Sequence, residues 1–191
     1  MLDSIAESLS RSAVRLCIAM AMAFAPTLTT AHGPWILVDT DSATLSVMRG
    51  NEVIESYPDL AIGRGGVSEH RTRGDDSTPL GEFRVVKVKT ESSYHRFYLF
   101  DFPNDEHASR AWNDGRIDLA TYDTIIDAVE NHRLPPQNTP LGGNLGIHGL
   151  GGGDPGIHSA FNWTNGCIAL TNEQIDALSP WLRVGTKIVV Q

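Results

Sequence analysis

Cys167 lies in Thr164-Asn165-Gly166-Cys167-Ile168-Ala169-Leu170, downstream of Gly146-Ile147-His148-Gly149. The only other cysteine, Cys17, falls in an N-terminal segment that reads as an export signal, so the exported chain keeps one thiol and no disulfide partner. That thiol is a candidate nucleophile. A thiol of ordinary acidity is scarcely ionised at neutral pH and needs a basic neighbour, usually a histidine. His148 fits this role: it ends an apolar run and is flanked by glycines, which places its ring at a strand end facing a cleft. Gly166 lets another backbone approach Cys167, and the amides around Gly166 and Cys167 are placed to point at a developing oxyanion.

The elements that must position these residues are mostly short strands. Trp35–Asp39 and Thr44–Met48 read as a hairpin, Glu52–Ile62 as a third strand interrupted at Pro58, and Gly81–Lys89 as the clearest alternating strand. Tyr98–Phe102, Leu145–His148, Cys167–Leu170 and Lys187–Val190 complete the set. Between Pro103 and Pro140 the spacing of Tyr122–Val129 predicts a helical insertion. Thr171 and Gln174 have capping-box spacing and open a helix over Glu173–Leu182. The segments Gly63–Asp76 and Gly149–Gly156 read as loops, the second flexible and glycine-rich but no phosphate loop, because no Gly-Lys-Ser/Thr follows. The fold class is therefore mainly β.

Arg11 and Arg15, the apolar stretch Leu16–Pro26 and the small residues Thr29-Thr30-Ala31 read as a signal peptide over residues 1–31. Residues 32–191 then form one catalytic domain, exported to the periplasm or cell envelope, with no stable membrane insertion after signal removal. The formal charge of −8 argues against nucleic acid as a partner.

Ile147-His148-Gly149 followed by Thr164-Asn165-Gly166-Cys167-Ile168 resembles the active-site signature of the L,D-transpeptidase (YkuD-type) family, and Ser77-Thr78-Pro79-Leu80-Gly81-Glu82-Phe83 is similar to the Thr-Pro-x-Gly-x-Phe stretch upstream of it. The resemblance covers roughly Trp35 to Gln191. It implies a β-sandwich-like catalytic domain, here with a helical insertion and a short helix after the nucleophile, acting on peptidoglycan stem peptides. Cys167 is then the nucleophile and His148 the base, with the Gly149 carbonyl orienting the imidazole. The amides of Asn165, Gly166 and Cys167 form the oxyanion hole. The thiolate attacks the carbonyl of the diaminoacid at stem position three, and the thioester passes to an amine acceptor: a second stem, a D-amino acid or a lipoprotein lysine. No metal or organic cofactor is implied. Two departures stand out: Thr164-Asn165-Gly166-Cys167 replaces Ser-His-Gly-Cys, and Ala169 stands where arginine is common, leaving carboxylate recognition without that cation.

Further residues have two readings each. Trp163 and His158 are candidates to touch substrate; the alternatives are a core plug for Trp163 and an exposed loop histidine for His158. Arg71 and Arg73 are candidates to bind stem carboxylates; the alternative is the solvated charge of a loop. The same Cys-His site also suits a hydrolase, amidase or L,D-carboxypeptidase, and His148, His158 and Cys167 together suit a metal-binding envelope protein, although their spacing matches no compact zinc motif.

Overall fold

The computed structural model describes residues 33–191; the expected signal peptide, with Cys17, lies outside the described residues. Alternation of apolar and polar side chains produces β1 (Trp35–Asp39), β2 (Thr44–Arg49) and β3 (Glu52–Tyr57), paired in an antiparallel meander. β3 stops before Pro58, which has no amide to give the ladder, and Asp59 then takes a positive φ of 61°. The third strand is thus shorter than its expected extent to Ile62. The loop that follows contains a two-residue strand, β4 (Val67–Ser68), paired in parallel with β5 (Thr78–Pro79).

The 12-residue β6 (Gly81–Ser92) joins the two halves of the molecule. Its first part pairs with the C-terminal β10 (Lys187–Val190), which lies parallel to β1; its second part pairs with β7 (His95–Phe100). Beyond β7 come β8 (Gly146–Gly149) and β9 (Ile168–Leu170), giving one mixed eight-stranded sheet in the order β3-β2-β1-β10-β6-β7-β8-β9. The protein is mainly β, as the sequence predicts.

Register divides the second half of this sheet into two chemically different faces. Val88, Tyr98, Ile147 and Ile168 are successive partners across four strands, and Tyr98, Ile147 and Ile168 are buried in the hydrophobic core. The neighbouring row runs Lys89, Phe97, His148 and Ala169. Side chains alternate along a strand, so this row projects from the opposite face. The register shift between Val85 and Lys87 makes the arrangement possible. Val85 pairs with Phe100 and faces the core; Val86 is the extra residue of the bulge, and Lys87 pairs with Leu99 on the other face. Without the bulge, the phase of Phe83 and Val85 would drive Lys87 and Lys89 inward.

The insertion contains two helices. α1 (Asp105–Asn113) is capped by Asn104, whose side chain accepts from the His107 amide, and α2 (Leu119–Glu130) by Asp118, which accepts from Thr121. They pack on each other and bury Ala108, Ala111, Ile125 and Ala128. Asp154 caps a third helix, α3 (Pro155–Ala160), which starts at the end of the Gly149–Gly156 stretch expected to be flexible. The Thr171–Gln174 capping box forms as the sequence predicts and opens α4 (Asn172–Leu178); a 3₁₀ turn over Ser179–Trp181 replaces the expected continuation to Leu182, with Pro180 inside it. Among the described residues no helix is long and apolar enough to cross a membrane.

Candidate active site

His148 and Cys167 line the same cleft, of about 830 Å³, together with Trp163, Asn165 and Arg71. Their meeting follows from the sheet. β8 and β9 run parallel with Ile147 opposite Ile168 and His148 opposite Ala169, so Cys167, one residue before Ile168, projects from the His148 face. Outside β9, the segment Ala61–Arg64 replaces a further strand. Ala61 and Ala169 exchange backbone hydrogen bonds of 3.0 and 2.8 Å, and the Arg64 amide donates to Thr164 O at 2.9 Å. The stretch after His148 is tied to the helix after Cys167 by Asn172: its side chain accepts from the Gly151 amide at 2.8 Å and donates to the Gly151 carbonyl at 2.9 Å.

The proton on His148 is assigned by its neighbour. Nδ1 lies 2.7 Å from Gly149 O, and a carbonyl only accepts, so Nδ1 carries the hydrogen and neutral Nε2 offers a lone pair. The ring is 2% exposed and is confined by Tyr94 at 4.4 Å, by Phe97, stacked at 6.0 Å, and by the edge of Trp163 at 5.8 Å. Burial lowers its pKa below the ordinary 6.5; the Gly149 carbonyl pulls the other way, and His158 adds to the depression.

Cys167 is half-buried and lines the cleft. Burial pushes the thiol up to about 11, opposed by the Gly146 amide and the Arg71 guanidinium. The S–H donates to Asn144 O at 3.6 Å. Burial thus favours the neutral form of both groups, a thiol and an imidazole rather than an ion pair.

The turn before Cys167 has one conformation that its residue types allow. Gly166 adopts a φ of 118°, and a Cβ there would collide with the Arg71 guanidinium and Ser77 O. Thr164 Oγ1 donates to Cys167 O at 2.6 Å and accepts from the Gly166 amide at 3.1 Å. This corrects one expectation: the Gly166 amide is taken by Thr164, which leaves the amides of Asn165 and Cys167 as the donors of that turn. Asn165 is exposed, and it is its carbonyl that is held, by Arg71 Nη1 at 3.3 Å.

Two loop readings are overturned. His158 is 5% exposed rather than solvated, because α3 folds it inward against Trp163, whose Nε1 donates to His158 Nδ1 at 3.2 Å. Arg71 is 6% exposed, its guanidinium bonded to Ser77 O and Asn165 O. The metal alternative finds no support in geometry: among the described residues no group of three or more His, Cys, Asp or Glu side chains is placed to hold an ion. Asn144 and Tyr94 contribute to the site without having been singled out for it, and Thr164 and Arg71 enter it through the bonds described above. The Asp154-Pro155 cap signal was the one clue that His158 belongs to a helix.

The L,D-transpeptidase catalytic domain (YkuD) matches residues 33–190. The chain belongs to that family. Its fold is similar to those of Pgp2, the helical cell shape determining protein of Campylobacter jejuni (TM-score 0.56, 15% identity, covering 83% of this chain and 47% of that one), and of Bd1075 from Bdellovibrio bacteriovorus (TM-score 0.52, 16% identity, 85% and 48%). The chain thus spans about half the length of these proteins. No curated protein sequence matches it.

Proposed function

We propose that the protein catalyses acyl transfer on peptidoglycan stem peptides through a thioester on Cys167, after export to the cell envelope. One observation carries this reading: the Nδ1–H···O bond to Gly149 leaves His148 Nε2 unprotonated on the sheet face that carries Cys167. As Sγ attacks the carbonyl carbon of the diaminoacid at position three, its proton passes to Nε2 and the carbonyl electron pair moves to oxygen, where the Asn165 and Cys167 amides receive it. Collapse breaks the bond to the terminal D-alanine, whose amine takes the proton from Nε2, and the thioester remains. An amine acceptor, whether a second stem, a D-amino acid or a lipoprotein lysine, then attacks the thioester carbon, His148 Nε2 takes the proton that this amine loses, and as the C–S bond breaks the imidazolium hands that proton to the departing sulfur.

Because the resting thiol is neutral, proton removal and attack are coupled, which is general-base rather than thiolate ion-pair catalysis. The tests are the mass of the intact protein after exposure to a carbapenem and, in a separate sample of untreated protein, the products of incubation with a tetrapeptide-stem muropeptide. A single adduct that disappears in Cys167→Ala, and a cross-linked dimer product, are expected. An adduct retained in that variant moves the nucleophile elsewhere, and shortened monomer alone assigns the thioester to hydrolysis.

A further inference from the structure

Among the described residues Arg71 is the one strongly buried cation beside the cleft, and its surroundings compensate its charge only in part. Nη1 is bonded to the carbonyls of Ser77 and Asn165, the latter at 3.3 Å, and the buried Nε has no hydrogen-bond partner. The nearest carboxylate, Asp75, approaches only to 3.5 Å. Its oxygens are committed elsewhere: Oδ1 accepts from the Ser77 amide and hydroxyl at 2.9 Å each, and Oδ2 from the Thr72 amide at 2.7 Å. A guanidinium buried with partial compensation costs stability, so its retention argues for a role beyond folding.

Its placement is enforced from several sides. The helical insertion holds the Arg71 backbone, since Arg116, between α1 and α2, donates to Arg71 O at 3.2 Å; the next turn of the loop is fixed by the Arg73 amide on Pro140 O at 2.8 Å. Gly166 has no side chain where the guanidinium lies. Ala169, two residues after the cysteine, is fully buried and closely paired with Ala61, so this position brings no positive charge near the sulfur.

We propose that Arg71 is the positioning residue for Cys167: fixed under the Asn165–Gly166–Cys167 turn, its guanidinium favours negative charge on the sulfur and holds the turn's amides toward the cleft. This rests on the nucleophile reading above but is read out separately from it. The probe is the rate of Cys167 alkylation by iodoacetamide against pH, followed on the Cys167 peptide so that Cys17 does not contribute, in Arg71→Met, Arg71→Lys and Asp75→Asn, with melting temperature recorded for each.

Loss of the cation displaces the Arg71→Met profile by about one pH unit upward, about tenfold slower at any fixed pH below its midpoint. Arg71→Lys recovers part of that loss. Asp75→Asn removes the opposing charge and accelerates alkylation severalfold. A merely structural arginine would lower the melting temperature and leave the profiles superimposed, which overturns the proposal. Where Arg71→Met does not fold, Asp75→Asn decides: an unchanged or slower rate overturns it equally. Failure of the wild-type protein to form a carbapenem adduct instead overturns the acyl-transfer reading and leaves these profiles interpretable.

Discussion

The two faces of strands β7 to β9 share one backbone and one register, yet one face is apolar core and the other carries the ionisable pair His148 and Cys167. On the core face Tyr98, Ile147 and Ile168 are apolar or nearly so and closely packed; on the cleft face Phe97, His148 and Cys167 combine aromatic walls with ionisable groups. The comparison shows that burial is common to both and does not separate them. His148 is as buried as its core-facing neighbours. What differs is directed polarity: Gly149 O fixes one imidazole nitrogen, and Asn144 O and Arg71 bracket the thiol.

Substitutions on alternate faces should therefore divide stability from chemistry. The largest chemical effect after loss of the cysteine itself is expected for His148→Ala, which should slow carbapenem acylation about 10²- to 10⁴-fold, measured by stopped-flow mass or absorbance. Wild-type rates in that variant would remove the histidine as base. One residue back, Ile147→Ala should cost about 2–5 kcal/mol in denaturant unfolding while leaving the acylation rate of the folded fraction unchanged. A comparable loss of rate would mean that the two faces are not separable.

A smaller effect sharpens the same contrast through pH. Burial lowers the His148 pKa, so the neutral base persists to lower pH and the acid limb of acylation should have its midpoint below 6.5. A midpoint at or above 6.5 would show that the imidazole is not desolvated as the aromatic walls require. The least effect is expected for Trp163→Phe, which keeps a ring against His148 and removes only the N–H that His158 accepts; a loss of acylation within about tenfold is expected, and a larger one would give Trp163 a direct part in the reaction.

The core face was the more legible of the two. Apolar alternation located every long strand, and the Thr171–Gln174 spacing located α4, because both signals are local. Even the bulge leaves a trace: in Phe83-Arg84-Val85-Val86-Lys87-Val88 the apolar phase slips by one residue at Val85-Val86, where the register shifts. Cys167 and His148 were legible as a pair from residue type and flanking glycines. Arg71 was not, since its burial depends on Ser77, Asn165 and Arg116, partners up to 94 residues away that no local pattern announces. The Gly166 amide was misassigned for a related reason. Glycine signals a close approach but not which group approaches, and here the Thr164 hydroxyl takes the amide.

The protonated state of Cys167 has a consequence for chemical durability. Burial favours the neutral thiol and keeps the thiolate fraction at neutral pH below that of an ordinary cysteine. Peroxide and foreign disulfides react with the anion, so the sulfur is shielded from sulfenic acid and mixed-disulfide formation between turnovers. A sulfur whose anion forms only on demand is spared the oxidation that a permanently ionised one invites.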